Sequence, residues 1–197
     1  MSTLNQYIKG VAFKYLSSVD SKVSSNQHEV GSNKFRKILG DPGHGAFYFD
    51  ATFLFFDPEL EGPISCTDTV TYYDSRRYQK HRTPELRLYY KDNPVTEQFG
   101  EGDFFLVAML TSGRLLIATA RPDTEEERRL RYLFVKEGGK DKWVVESEMP
   151  VKEIGLAAGQ ILDALGIEWQ VFDDGYLGRM IDIFEGKFPP TRIFSEF

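Results

Sequence analysis

The chain has 197 residues, 41% apolar and 14% aromatic, with a formal net charge of −6 and a mean hydropathy of −0.37. That length builds one hydrophobic core and is short for two independent domains. The balance excludes a disordered or fibrous chain, and the acidic total argues against indiscriminate coating of nucleic acid, which sums phosphate neutralisation.

The predicted elements run as follows in chain order. A short helix covers residues 33–39, with Phe35, Ile38 and Leu39 on one side. Strands rich in aromatic and β-branched residues follow at 46–56, 69–73 and 86–90, then at 104–110 and 115–120, where Thr111-Ser112-Gly113 reads as a tight hairpin. Thr124 and Glu127 have capping-box spacing and open a short helix. Further strands are expected at 132–135 and 143–145. Ile154, Ala158, Ile161, Leu162 and Leu165 recur at helical spacing, and Gly166 stops that helix. Residues 176–188 fit helix or strand equally. About seven strands with few helices predict a mainly β chain, a closed or half-closed barrel with helices at its ends.

Apolar runs such as Phe104–Leu110 are strand-sized, whereas a membrane helix needs roughly 20 apolar residues. Residues 1–14 lack the basic-then-apolar order of a secretory signal. The single Cys66 leaves no internal disulfide and fits a reducing compartment, and with three scattered histidines it speaks against a zinc site.

Charge is segregated. Residues 1–40 hold six bases against two acids, and residues 70–91 repeat that +4. Between them, residues 41–69 hold six acids and no Lys or Arg, and residues 146–197 carry −6. Two basic islands in an acidic chain suit a localised cleft for a polyanion.

No sequence motif marks a free-standing enzyme. Residues 40–45, Gly-Asp-Pro-Gly-His-Gly, lack the Lys and the helix start of a phosphate-binding loop. Asp123 with Glu185 and Lys187 spells a magnesium-nuclease pattern, but 62 residues apart and with Asp123 at a helix cap. That compact nuclease is kept as an alternative, as is a β-barrel that binds an acidic protein through its basic patch.

The densest signal is residues 72–90, a strand, a cationic loop and a second strand: Tyr-Tyr-Asp-Ser-Arg-Arg-Tyr-Gln-Lys-His-Arg-Thr-Pro-Glu-Leu-Arg-Leu-Tyr-Tyr. Arg presents a fork that matches guanine in the major groove, and Lys neutralises phosphate. Glu85 among these cations suits a cytosine amino group or braces a neighbouring Arg. A two-stranded arm fits the major groove.

The run Tyr-Tyr-x-Ser-Arg, then Lys-x-Arg, then Glu-x-Arg resembles the N-terminal effector domain of EcoRII-type restriction endonucleases. Residues 27–31, Gln-His-Glu-Val-Gly, and residues 158–162, Ala-Gly-Gln-Ile-Leu, resemble two further blocks of that domain in the same order. The resemblance implies a DNA-binding pseudobarrel related to that of a class of plant transcription factors, an open seven-stranded barrel with capping helices. It implies a prokaryotic, cytoplasmic, non-catalytic module whose two arms read double-stranded CC(A/T)GG in the major groove, one domain per site. Such a module needs no cofactor, and magnesium belongs to a fused C-terminal nuclease that it controls allosterically. Carried over by position, Lys22, His28, Asn33 and Lys34 lie on or beside the N-terminal arm, and Arg76, Arg77, Lys80, His81, Arg82, Glu85 and Arg87 on the C-terminal arm. Arg76 and Arg77 are expected to position phosphates. Pro84 is a one-residue insertion against the family pattern, Leu86 replaces a basic residue and Asn33 an aromatic. The expected organisation is a single domain over residues 1–188, with the proline-bearing residues 189–197 a linker toward a nuclease domain.

Overall fold

Seven strands form one mixed sheet, seen in a computed structural model that describes residues 7–21, 28–134 and 156–167. They are β1 (Ile8–Tyr15), β2 (Glu29–Gly31), β3 (Ala46–Phe56), β4 (Ile64–Asp74), β5 (Leu86–Tyr90), β6 (Phe104–Leu110) and β7 (Leu115–Ala120). Their order is β1-β6-β7-β3-β4-β5-β2, antiparallel throughout except for β3 and β7. Among the described residues three α-helices accompany them: α1 (Arg36–Leu39), α2 (Glu125–Phe134) and α3 (Leu156–Ala164).

One face of every strand feeds a single core. Ala12, Val30, Phe53, Tyr72, Leu88, Val107 and Ile117, one from each strand, belong to the same buried cluster. A sheet whose two edge strands share one core with its centre must curl, and this one curls into a half-barrel. The seam between the edges is bridged by side chains. The Lys14 ammonium donates to the Gly31 carbonyl at 3.0 Å and pairs with Asp20 at 2.7 Å, while the Gly31 N–H donates to Asp20 at 3.3 Å. Gly10 lets β1 pass α1, because a Cβ there would stand 2.7 Å from Cγ2 of Ile38.

The outer face is divided. On β6, β7 and the second half of β3 it is buried as well: Leu54, Leu106 and Leu116 are inaccessible, as are Leu130 of α2 and Ile161 and Leu162 of α3. α2 packs on β7 and α3 on α2. On β4, β5 and β2 the outer face keeps Thr71, Tyr73, Arg87, Tyr89 and Glu29 half-buried or exposed. It is the wall that leads to the candidate site.

Most predicted elements stand. The bounds of β3, β5, β6 and β7 are as read, β4 begins five residues earlier, and the 111–113 hairpin turns at Gly113 with φ 85°. The predicted helix at 33–39 is a 3-10 turn, Asn33–Phe35, running into α1, with Phe35 and Leu39 buried. α3 ends as expected at Gly166, whose φ of 68° allows the Ile167 N–H to reach the Leu162 carbonyl at 2.9 Å. The strand expected at 132–135 is corrected: residues 132–134 are the last turn of α2. Glu127, Leu130 and Phe134 are buried at helical spacing, and that periodicity outweighs the local β propensity of Tyr-Leu-Phe-Val. The helix begins in the predicted capping box, with the Glu127 N–H donating to Thr124 Oγ1 at 3.2 Å and the Asp123 N–H to the Glu127 carboxylate at 2.7 Å. β1 and β2 were not predicted. The strand expected at 143–145, the undecided 176–188 and the linker at 189–197 lie outside the described residues.

Candidate nucleic-acid interface

Two loops meet at one end of the half-barrel. One is residues 32–45, running from β2 through α1 to β3; the other is residues 75–85, joining β4 to β5. They are tied at several points. The Ser32 N–H donates to the Leu86 carbonyl at 3.1 Å, Tyr72 Oη to the Gly40 carbonyl at 3.3 Å, and His44 Nδ1 lies 2.8 Å from the Arg77 carbonyl. Asp74, buried at the end of β4, locks the base of the second loop by accepting from the N–H groups of Arg76 at 2.9 Å and Glu85 at 2.8 Å. Successive turns (Arg77 N–H to Asp74 O, Gln79 N–H to Arg76 O, Arg82 N–H to Gln79 O) fold the loop into an ordered hump. Together the two loops carry seven Lys or Arg against two acids, +5 on a chain of −6.

The arginines nearest the sheet are aimed by carboxylates. Glu85 gives one oxygen to Arg76 at 2.8 Å and the other to Arg87 at 3.0 Å. Arg87 also pairs with Glu29 of β2 at 2.5 Å, and the Tyr73 hydroxyl donates to that same Glu29 carboxylate. Antiparallel register makes this possible: Tyr73 faces Arg87, and Arg87 faces Gly31 two residues from Glu29. The Arg87 guanidinium holds the Glu85 carboxyl below the usual carboxylate range. Burial, then Glu29, push the Tyr73 hydroxyl up to about 12. Arg77 has no carboxylate partner among the described residues; its guanidinium lies 5.0 Å from the Tyr73 ring centre and 5.1 Å from that of Tyr78. Lys80, His81 and Arg82 form the exposed crest, without side-chain partners among the described residues.

The N-terminal candidates are dispersed. Asn33 accepts from the Leu86 N–H at 3.5 Å and so stands at the root of the second loop. Lys34 is exposed and lies 5.8 Å over the ring of Phe13. His28 sits at the other end of β5, its Nδ1 3.3 Å from Asp92 and its carbonyl accepting from the Tyr90 N–H. Four residue steps separate Leu86 from Tyr90, about 14 Å of strand. Lys22 lies outside the described residues. Arg36 is at this end as well, paired with Asp41.

Glu29, Tyr73 and Asp74 were missed as site residues. Their signal is register: only the β4-β5-β2 pairing brings Tyr73 and Glu29 to Arg87. Of the nuclease alternative, Asp123 is an exposed turn residue with φ 60° just before the Thr124 cap of α2, its N–H donating to the Glu127 carboxylate, and Glu185 and Lys187 lie outside the described residues. Among the described residues no three His, Cys, Asp or Glu are grouped to hold a metal ion, and no helix is long and apolar enough to cross a membrane. Cys66 is half-buried on β4, and burial raises its thiol pKa.

The fold and this end of it define a mainly β half-barrel with a concentrated cationic pole. No protein-family model matches the chain, and no curated protein does. Among solved structures it is similar to the B3 domain of the UbaLAI restriction endonuclease, determined with cognate DNA, at 20% identity and a TM-score of 0.34 over 70% of this chain and 87% of that one.

Proposed function

We propose that the chain is a sequence-specific double-stranded DNA-binding domain whose reading surface is the pole formed by residues 32–45 and 75–85. The observation that carries this is the concentration of +5 on two adjoining loops of a −6 chain, with two arginines pre-aimed by Glu85 and Glu29. Generic polyanion binding needs only the charge. Fixed guanidinium forks are what base-edge recognition needs. In this reading Arg82 and Lys80, on the crest, enter the groove first, Arg87 and Glu85 face base edges, and Arg77 neutralises phosphate. The target is a CC(A/T)GG-type site. The domain is non-catalytic, the effector of a restriction endonuclease with a C-terminal nuclease that supplies the magnesium chemistry.

The test is fluorescence anisotropy of the chain with a duplex carrying CCAGG and one with the site scrambled. Preference for CCAGG, falling in Arg82→Ala by the roughly 1–3 kcal/mol of a base-reading arginine, supports the reading. Equal affinity for both duplexes refutes it. If Arg77 and Lys80 each neutralise one phosphate, log Kd should rise with log salt at a slope of about 1.8 or steeper.

A further inference from the structure

Tyr78 is the most exposed large apolar side chain among the described residues, at 79%. A single exposed aromatic is ordinary on a soluble protein. Tyr78 differs in being held. One side of its ring rests on the Arg77 guanidinium, which rests in turn on the Tyr73 ring, whose hydroxyl is fixed by Glu29. The column therefore rises from the sheet wall to the crest and ends in an aromatic side chain open to solvent. Tyr48, 76% exposed on β3, has no ring or cation contact of this kind among the described residues. Arg76, Arg77, Lys80 and Arg82 surround Tyr78 within four residues. A pre-ordered aromatic among cations offers what phosphate-seeking side chains cannot, a dry contact to the apolar surface between phosphates.

Resting on the DNA-binding reading, we infer that Tyr78 is a DNA-contact residue whose ring packs on the sugar-and-base wall of the groove, its hydroxyl playing no part. Its energy comes from buried apolar surface, so it is independent of salt, unlike that of its neighbours. The contact adds affinity to every duplex and makes no distinction of sequence.

Wild type, Tyr78→Phe and Tyr78→Ala are titrated by anisotropy against the CCAGG and scrambled duplexes over a range of salt. Tyr78→Ala should weaken binding to both by roughly 10-fold, the effect of about 55 Å² of apolar ring surface buried at about 25 cal/mol per Å², with the salt slope unchanged, and Tyr78→Phe should bind like wild type. Unchanged affinity in Tyr78→Ala overturns the inference. So does a loss accompanied by a salt slope shallower by about 0.9, which would make the ring a mere prop for Arg77. So does a loss equally large in Tyr78→Phe, which would assign the contact to the hydroxyl. Thermal unfolding of Tyr78→Ala at the wild-type temperature excludes misfolding as the cause. These results leave the DNA reading standing when wild type still prefers CCAGG. Wild type that binds neither duplex removes both.

Discussion

Arg87 and Arg82 are both candidates for base reading, yet the structure gives them different second jobs. Arg87 divides its guanidinium between Glu29 at 2.5 Å and Glu85 at 3.0 Å, with Arg87 24% exposed and Glu29 12%. Truncating it strands the Glu29 carboxylate in a mostly dry position with the Tyr73 hydroxyl as its remaining partner described above. A hydrogen bond to a charged group contributes about 1.5–3 kcal/mol, and a surface pair such as that with Glu85 adds little. Arg87→Ala should therefore lose about 2 kcal/mol of folding stability. For a domain of this size that lowers Tm by about 4–8 °C. Arg82 has no side-chain partner among the described residues, so Arg82→Ala should stay within about 0.5 kcal/mol of wild type. Urea and thermal unfolding separate the two before any DNA is added. Arg87→Lys keeps a cation but cannot fork between two carboxylates, and should recover less than half of the loss. The reasoning is refuted if Arg87→Ala unfolds with wild-type stability, or if Arg82→Ala is the less stable of the two.

Other consequences are open to simple measurements. Glu85→Gln frees Arg76 and removes a negative charge beside the crest, so affinity for the scrambled duplex should rise several-fold while preference for CCAGG narrows; an unchanged ratio of the two affinities counts against Glu85 as an aiming group. Gly10→Ala should destabilise by about 1–3 kcal/mol through the contact with Ile38 Cγ2, and adding Ile38→Leu, which moves the branch away, should restore part of it in urea melts. Burial raises the Asp20 carboxyl, but Lys14 and Ser17 more than offset it, leaving the group below its ordinary 3.8. The folded state then binds fewer protons than the unfolded, so this stability is present above that pH and lost below it. Asp20→Asn should flatten the acid limb of a stability–pH curve. Asp103 has the opposite sign: burial raises its carboxyl despite the Gly100 N–H and Arg121, so its contribution falls as pH rises from 3.8 through the raised value, and Asp103→Asn should remove that slope.

What the sequence disclosed, and what it withheld, follows the range of the forces involved. β3, β5, β6 and β7 are bounded by turn residues and dense in Phe, Leu, Val and Tyr, a local pattern that tertiary contacts only reinforce. β1 was hidden because its core-side residues are small, Ala12 beside Gly10, and its lysines at 9 and 14 break the apolar run. The use of Lys14 at the seam depends on Asp20 and Gly31, on other segments. The end of α2 misled for the reverse reason, since four β-favouring residues outvoted a periodicity that began seven residues earlier.

The cationic segment was legible as composition, but the division of labour within it was not. Six basic residues in 70–91 look equivalent in the sequence. Pairing with Glu29, 58 residues away from Arg87, makes them unequal by immobilising one, while Lys80 and Arg82 remain on the crest. A carboxylate between two arginines lowers the field that draws in a phosphate and narrows the directions in which the guanidinium can donate. A surface meant only to hold polyanions gains nothing from that arrangement, because every acid weakens it. One that must prefer a base edge over a phosphate gains from both effects: general affinity falls, and the guanidinium is held in one orientation before the ligand arrives. The internal carboxylates, more than the number of cations, therefore distinguish a reading surface from a sticky one.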